Sequence, residues 1–185
     1  EKLDAGSDGT GIGLTLVHGV EVATVRDPWA EDSRPKADAM VTDRPGLLLG
    51  IVTGDCAPVL FADAEAGVIG AAHAGWRGAV AGVLEATIAA MEAHGAARGR
   101  IAAAIGPCIA QPSYEVGPDL RDAVLAHDAA HARFFAPGRR EDRWQFDLPG
   151  YCLARLRAAG AGAAAALHQD TLQADERYFS FRRAT

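Results

Sequence analysis

The sequence is poor in cysteine, has no long apolar run and carries no surplus of positive charge, and each feature excludes a class of protein. Its three cysteines cannot all pair with one another, and there is no disulfide framework or signal-peptide pattern, so we expect free thiols and a cytoplasmic location. No apolar run approaches the roughly 20 residues that span a bilayer, which excludes a membrane partner. With a formal net charge of −6, nucleic acid is not expected as a partner either.

The length and the composition are those of one globular domain. With 185 residues, of which 49% are hydrophobic and 23% charged, the chain can build one core but hardly two, so we expect a single domain over residues 1–185. Residues 1–13 are polar and glycine-rich, which predicts a mobile lead-in. Because the chain starts without Met and ends abruptly, we also expect that native terminal segments are missing.

The pattern of apolar residues predicts both strands and helices. Two runs, residues 47–52 and 100–105, are apolar enough for buried strands, the first of them buried on both faces. The tail at 178–183 mixes aromatics with cations, which suits either an edge strand or closure over an anionic ligand. Because several strands follow one another directly while others alternate with helices, we predict an α+β layered sandwich, a mixed β-sheet flanked by helices. Residues 14–25 are expected to form a pair of strands or one long strand interrupted at His18-Gly19, where the glycine lets the backbone bend and leaves the imidazole uncovered. Further strands are expected at 37–42, 47–52, 57–62, 67–72, 100–105 and 163–167, and helices at 77–94, 118–133 and 148–159.

The stretch from residue 53 to residue 78 carries the chemistry that is most specific in the sequence. Cys56 precedes one strand-like run and His73 follows the next, so a hairpin would bring a thiol and an imidazole to the same edge of a sheet. His18 lies in another strand-like run. Two histidines and one cysteine, with a fourth position left open, is the donor set of a catalytic zinc site. A lone histidine in an apolar strand is, however, more often a packing or surface residue.

Other candidate residues have a plainer interpretation beside the functional one. Arg77 lies at a glycine-rich helix start that would attract an anion, although a solvated arginine in a turn gives the same pattern. His127 and His131 have the spacing of a two-histidine metal site, but no glutamate accompanies them, so a solvated helix face is expected. Cys108 is expected to be exposed at a strand end. Cys152 is expected in the core.

Several segments together resemble the YfiH-type laccase-domain family over nearly the whole chain. This chain departs from the family pattern in having no Gln just before His18 and in having Gly54 where the family has Ala. The segments that carry the resemblance are Val17-His18-Gly19, Gly54-Asp55-Cys56 with Pro58, Ala72-His73-Ala74-Gly75-Trp76-Arg77-Gly78, Ile105-Gly106-Pro107-Cys108-Ile109, Tyr114-Glu115-Val116 and Phe179-Ser180-Phe181-Arg182-Arg183.

The resemblance implies a zinc-dependent purine nucleoside phosphorylase that also deaminates adenosine, with a purine nucleoside and phosphate as small-molecule partners. It implies that His18, Cys56 and His73 hold Zn²⁺, or Cu²⁺ as the alternative. Such a cation would lower the pKa of a bound water from about 15.7 to roughly 7. The candidate catalytic residues are Asp55, Cys56 and Arg77, with Asp55 either carrying protons or orienting its neighbour. The candidate residues for substrate and phosphate are Arg77, Cys108, Tyr114 and Arg182, assisted by Arg183.

Three other functions remain open at this point. The family has also been described as copper-dependent polyphenol oxidases, yet a four-copper laccase centre needs far more histidine ligands than the six scattered in this chain. A hydrolase acting on cell-wall precursors would use Cys56 as nucleophile and His73 as base. A non-catalytic metal-binding protein is the remaining alternative, and turnover of a nucleoside would distinguish it.

Overall fold

A computed structural model describes residues 11–185 of the chain. No helix in this part of the chain has the length and apolarity that crossing a membrane requires. Short 3-10 helices occur at Glu31–Ser33, Arg98–Arg100, Gln111–Ser113 and Ala129–Phe134. The strands are β1 (Gly11–Ile12), β2 (Val22–Thr24), β3 (Ala39–Thr42), β4 (Leu48–Leu49), β5 (Ala57–Asp63), β6 (Val68–Ala74), β7 (Ala102–Ile105), β8 (Glu115–Val116), β9 (Phe135–Pro137), β10 (Trp144–Phe146) and β11 (Ala163–Ala166), and the helices are α1 (Trp76–Ala81), α2 (Val83–Ala93), α3 (Pro118–His127), α4 (Leu148–Ala158) and α5 (Phe181–Ala184).

Six of the strands form one mixed sheet in the order β11-β7-β5-β6-β3-β2. The central strands β7, β5, β6 and β3 pair antiparallel, whereas β2 joins β3 and β11 joins β7 in parallel. A three-stranded sheet, β8-β10-β9, and a parallel pair, β1-β4, complete the architecture. The predicted combination of a mixed sheet with flanking helices is confirmed.

The hairpin of β5 and β6 brings the ends of the central stretch together as predicted. Its register pairs Ala57 with Ala74 and Pro58 with His73. Cys56, which directly precedes β5, therefore lies beside the last residues of β6. Gly67 has a φ of 67° in the connecting turn, a left-handed conformation that glycine adopts without steric cost.

Helices α1, α2 and α4 cover one face of the six-stranded sheet, where the main hydrophobic core lies. Leu84, Ile88 and Met91 of α2 pack there against inward-facing strand residues such as Val59 and Ile105. A smaller cluster of Ile12, Val25, Met40 and Ala71 lies on the other face, and the β1-β4 pair packs against it. The rest of that face is open, since Leu60, Ile69, Ala102 and Ala104 are exposed.

Two segments predicted as buried strands do contain strands, but the prediction of burial was wrong because each is covered on one face only. Within residues 47–52 only Leu48 and Leu49 are in a strand, and they pair with β1 outside the main sheet. Leu47, Leu49 and Ile51 pack inward, while Leu48 is 65% and Val52 is 78% exposed. Strand β7 alternates in the same way.

Two predicted helices are interrupted at a single residue. The helix expected at 77–94 breaks at Gly82, whose φ of 107° cannot continue a right-handed helix and separates α1 from α2. The helix expected at 118–133 ends at His127, because Asp128 is extended. The Asp128 carboxylate accepts a hydrogen bond from the backbone of Ala130 and so caps the following 3-10 helix.

The predictions at the two ends of the chain were also corrected. Residues 11 and 12 of the expected lead-in form β1, and residues 1–10 lie outside the described part of the chain. Of the strand expected at 14–25, residues 22–24 form β2 and Thr15 makes only an isolated bridge. The tail forms the short helix α5 rather than an edge strand, because the Ser180 hydroxyl caps it by accepting from the Arg183 backbone.

Candidate metal centre

Three metal-competent side chains, His18, Cys56 and His73, meet at one end of the β5–β6 hairpin. One donor atom from each lies within 4.8 Å of the other two. The two imidazole rings stand edge to face with their centroids 4.9 Å apart. His73 is buried, Cys56 is half-buried and His18 is exposed, so the cluster opens to solvent on the His18 side. The structure thus brings together the three residues predicted as ligands.

The structure adds one residue to this cluster that the sequence did not indicate, Asp38 of the segment leading into β3. Its side chain is fully buried and accepts hydrogen bonds from the backbone amides of Val17, His18 and Gly19 at 3.2, 2.9 and 2.7 Å. It also contacts the Nδ1 atom of His73 at 2.9 Å. One carboxylate therefore fixes both histidines.

These hydrogen bonds explain why residues 17–19 are not in a strand. The amides that a neighbouring strand would have bound are donated to Asp38 instead, and His18 adopts a φ of 59°. Helix α1 packs directly on this turn, since a Cβ atom at Gly78 would lie 2.9 Å from the Gly19 carbonyl oxygen. The imidazole of His18 is thereby presented by a strained and tightly held backbone.

The contact with Asp38 also sets the electrostatics of His73. Burial by itself would raise the pKa of Asp38, but the hydrogen bonds from Gly19, His73, His18 and Val17 outweigh it and hold that pKa below its ordinary value. Burial lowers the pKa of His73, although Asp38 opposes the shift. A neutral His73 that donates from Nδ1 to Asp38 has its Nε2 lone pair free for a cation.

The thiol of Cys56 is protonated at neutral pH unless a cation binds beside it. Burial raises its pKa to about 11, and the nearby carboxylates of Asp55 and Asp38 add to the shift. A free thiol with this pKa is a poor nucleophile, because only the thiolate attacks. A coordinated thiol, by contrast, loses its proton to the field of the ion.

The residues present fit a divalent cation of intermediate softness. One sulfur and two imidazole nitrogens are donors that zinc and copper both accept. Gly75 keeps this space clear, because a Cβ atom there would lie 3.1 Å from both Cys56 Sγ and His18 Cδ2 and 3.7 Å from His73 Cε1. Even a methyl group at residue 75 would therefore crowd the three candidate ligands.

A pocket of about 190 Å³ adjoins Cys56, and Tyr114, Phe181 and Arg182 form part of its wall. The guanidinium of Arg182 stacks over the Tyr114 ring at 5.4 Å and donates to the Glu115 carbonyl oxygen at 3.0 Å. Burial raises the pKa of Tyr114 and Cys56 adds to the rise, while Arg182 and Arg77 act against it. The hydroxyl of Tyr114 therefore stays protonated at neutral pH.

The two arginines predicted to hold phosphate differ in how firmly they are placed. Arg182 has the two contacts at Tyr114 and Glu115, whereas Arg77 is exposed and, within residues 11–185, stacks on its neighbour Trp76 alone, at 4.4 Å. Arg183 donates to the carbonyl oxygens of Thr171, Leu172 and Tyr178, so it braces the C-terminal segment.

Asp55 holds the C-terminal segment against the pocket. Its carboxylate accepts hydrogen bonds from the Thr171 hydroxyl at 2.6 Å, the Ser180 hydroxyl at 2.9 Å and the Arg182 backbone amide at 2.7 Å. Its backbone has a φ of 78°, which turns the side chain away from an ordinary strand direction. Because both oxygens are engaged, the geometry favours an orienting role for Asp55 over proton transfer.

Cys108 is not exposed as predicted, but is 3% exposed within the main core. Its backbone bridges in parallel to Asp170, and the segment around Asp170 covers the strand end that the sequence suggested was open. Burial raises the pKa of Cys108 to about 12. A neutral, buried thiol offers nothing to an anion. Cys152 is fully buried, as expected.

His131 was expected on a solvated helix face and is instead 8% exposed. It packs against Phe134 and Tyr151 and stacks with His127, the ring centroids of the two histidines being 5.7 Å apart. The extended residue Asp128 turns the chain between the two histidines and carries His131 into the core. Neither belongs to the metal-competent cluster found within residues 11–185.

Comparisons with known proteins identify relatives of this chain. The model of a family described as multi-copper polyphenol oxidoreductase laccase matches residues 5–185. Purine nucleoside phosphorylase ORF3 of Streptomyces griseus is 42% identical over 175 residues, covering 92% of this chain and 68% of the relative. Purine nucleoside phosphorylase YfiH of Escherichia coli is 38% identical over 174 residues, covering 92% and 67%. The chain spans about two thirds of the length of these relatives.

Solved structures show the same fold. The Neisseria meningitidis protein NMB0706 superposes with a TM-score of 0.85 at 33% identity, covering 94% of this chain and 69% of that one. The Geobacillus stearothermophilus protein YlmD gives a TM-score of 0.81 at 26% identity, covering 95% and 68%.

Proposed function

This chain belongs to the YfiH-type laccase-domain family, and from that membership we propose that it is a zinc-dependent purine nucleoside phosphorylase that also deaminates adenosine. The curated relatives named above are purine nucleoside phosphorylases, but the chain spans about two thirds of their length, so the activity of the whole protein is part of the proposal. The observation that carries it is the cluster of His18, Cys56 and His73 beside a pocket with an arginine and a tyrosine in its wall.

We propose zinc rather than copper as the resident cation. Two imidazoles and a thiolate that leave one position open are the donor set of catalytic zinc, which when bound supplies a Lewis acid without redox chemistry. The name of the family implies several copper ions, yet residues 11–185 contain a single metal-competent cluster, with three donors. The same donors also suit a single copper ion, which remains the alternative.

In phosphorolysis a phosphate oxygen bonds to C1′ of the ribose while the bond from C1′ to the purine nitrogen breaks. The base leaves with the electron pair and takes up a proton. Arg182, held in the pocket wall, and the exposed Arg77 of α1 are the cations proposed to bind phosphate, and a guanidinium suits that task because it binds two oxygens at once. The protonated hydroxyl of Tyr114 is the proposed donor to the leaving base.

Deamination of adenosine would use the same pocket with water in place of phosphate. The 6-amino group leaves as ammonia and an oxygen from water takes its place. Asp55 supports either reaction by holding Ser180 and Arg182, and through them the pocket wall. The rival hydrolysis with Cys56 as nucleophile is less well supported, because the raised pKa of Cys56 leaves the thiol protonated.

The test is product identification with adenosine and with inosine, each with and without phosphate. Free base and ribose phosphate formed only with phosphate would support phosphorolysis, and inosine formed from adenosine in either condition would support deamination. Parallel samples loaded with zinc, loaded with copper or stripped by a chelator identify the metal, and a phenol oxidised only by the copper-loaded sample would favour the oxidase. Cys56→Ala should lose both metal and turnover, and a variant that keeps both would contradict the proposal.

A further inference from the structure

A second pocket, which shares no lining residue with the first, lies between helix α3 and the β9–β10 hairpin. Its volume is about 380 Å³, and three arginines, Arg121, Arg140 and Arg143, are part of its wall together with Asp142 and Trp144. The apolar residues Ala132, Ala136 and Pro137 complete much of the remaining wall. A space of this size is in the range that small organic ligands occupy in proteins, roughly 300–1,000 Å³.

The positive charge of this pocket is not compensated from within it. Arg140 forms an ion pair with Glu115 at 2.8 Å, but neither Arg121 nor Arg143 has a carboxylate within 4 Å among residues 11–185. Asp142, the acidic residue of the wall, forms no ion pair with any of the three arginines. The chain has 24 acidic residues against 18 basic ones, so a local excess of arginine stands against the overall balance.

Arg121 is held in place by stacking, while part of its guanidinium is unsatisfied among the described residues. Its guanidinium stacks over the Trp144 ring at 4.7 Å, and its Nε atom is buried with no partner among the described residues. An unpaired polar atom shielded from water is costly, so an incoming acceptor would be bound more strongly than at an exposed arginine.

Arg143 is placed where a cation is least favoured. A Cβ atom at Gly117, the residue that directly precedes α3, would lie 2.9 Å from the Nη1 atom of Arg143. The N-terminal end of a helix carries a partial positive charge, so a guanidinium there is repelled rather than stabilised. A bound anion would remove that repulsion.

We propose that this pocket binds the dianionic group of a phosphate monoester, with Arg121 and Arg143 as the principal contacts. Planar guanidinium groups bind phosphate oxygens in pairs, which suits two arginines that converge on one space. The pocket is larger than an inorganic phosphate ion needs, and its apolar wall suits the organic part of the ester. The site does not depend on the metal centre or on the proposed reaction.

The experiment follows the indole N–H signals of the three tryptophans by NMR while phosphate compounds are added to the zinc-loaded protein. Trp144 reports on this pocket and Trp76, beside Arg77, reports on the metal side, so the two sites are read separately in one titration. Trp144→Phe assigns the signal. The probes are ribose 5-phosphate, adenosine 5′-monophosphate and inorganic phosphate.

We expect both esters to shift the Trp144 signal to saturation, and more tightly than inorganic phosphate does. Arg121→Gln and Arg143→Gln should each weaken this binding at least about tenfold, equivalent to about 1.4 kcal/mol. Arg139→Gln is the matched control, because Arg139 lies on the same hairpin but outside the pocket wall, and should change the affinity less than about twofold.

Three results would overturn the proposal. One is the absence of a saturable Trp144 shift up to about 10 mM ester, a concentration that fills most of a millimolar site. The second is an equal loss of affinity in Arg139→Gln, which would mean diffuse attraction to surface charge. The third is an affinity for inorganic phosphate as high as for the esters. A failure of nucleoside turnover would leave each of these readouts intact, and circular dichroism checks that the variants are folded.

Discussion

Two regions of the molecule are each organised by one buried aspartate, Asp38 at the metal centre and Asp55 at the substrate pocket. The two carboxylates have the same chemistry but hold different segments. Each is a buried carboxylate that accepts at least three hydrogen bonds, and each is close enough to Cys56 to raise the pKa of its thiol. The donors to Asp38 belong to the turn at His18 and to the ring of His73. The donors to Asp55 belong to the C-terminal segment, at Thr171, Ser180 and Arg182.

The difference shows that a buried carboxylate acquires its role from the segment that it holds. Asp38 orients two proposed metal ligands, so its removal should be felt first as weaker metal binding. Asp55 orients the wall of the substrate pocket, so its removal should be felt first as weaker substrate binding. The two variants therefore separate the metal centre from the pocket.

The largest effect is expected for Asp38→Asn. The amide can accept at one oxygen only and no longer carries the charge that orients His73, so zinc affinity should fall about 10- to 100-fold. Competition with a chromophoric chelator measures this. Asp43→Asn is the control, because Asp43 is exposed and contacts only the His94 ring and Arg44, and its zinc affinity should not change. A wild-type zinc affinity in Asp38→Asn would remove Asp38 from the centre.

Gly75→Ala should give the next largest effect. The added methyl would lie 3.1 Å from Cys56 Sγ and from His18 Cδ2, so the donors must move apart, and we expect zinc affinity to fall about tenfold, or about 1.4 kcal/mol. Gly54→Ala is the matched control for zinc affinity, since its nearest neighbour would be the Phe181 amide at 3.6 Å, an ordinary contact. Equal zinc affinities in the two variants would show that the donors do not enclose an ion at this position.

Asp55→Asn should raise the KM for the nucleoside about three- to tenfold, because part of the roughly 1.5–3 kcal/mol of a charge-assisted hydrogen bond is lost. Zinc affinity should stay unchanged. Faster cleavage by trypsin after the exposed Arg177 would report that the C-terminal segment has loosened. Asp175→Asn, an exposed change in the same segment, serves as the control. Loss of zinc from Asp55→Asn would contradict the division of tasks between Asp38 and Asp55.

The substitution Asp63→Asn should have the smallest effect, and it should change only the stability of the fold. The Asp63 carboxylate accepts from Arg100 and from the amide of Ala97, and these contacts lower its pKa to about 2. Because the folded pKa lies below the unfolded value of about 3.9, this stabilisation is present above pH 4 or so and is lost as the pH falls toward 2. Urea unfolding between these pH values should show a shallower pH dependence in Asp63→Asn, with zinc affinity and KM unchanged. An identical pH dependence would show that Asp63 does not contribute.

Much of the candidate site could be predicted because its strongest signals are short and local. Cys56 and His73 flank a hairpin of only two strands, and two short continuous apolar runs are enough to place both strands. His18 was found by its residue type and by the resemblance to the family, and a break at His18-Gly19 was expected, but the left-handed backbone of His18 itself was not. The roles of His18, Cys56 and His73 as metal ligands remain predictions, as do the single domain and the cytoplasmic location.

Asp38 was missed although the sequence carried a signal for it. A charged residue at the start of the apolar strand segment 37–42 is unusual, because a buried carboxylate must find donors. Its donors, however, lie 20 residues before it at His18 and 35 residues after it at His73, and no local pattern connects them. The burial of Cys108 was missed for the same reason. The segment around Asp170, which covers it, lies far away in the sequence.

The sequence by itself determined the mixed sheet, the β5–β6 hairpin and the residue types of the candidate metal cluster, because periodicity and turn chemistry act over a few neighbouring residues. Only the tertiary structure decided which carboxylate holds which segment, which cysteines are buried and which two arginines have no carboxylate within 4 Å among residues 11–185. Those outcomes depend on hydrogen bonds and packing between segments far apart in the chain, and their strength is set by the exclusion of water, which exists only once the segments have come together.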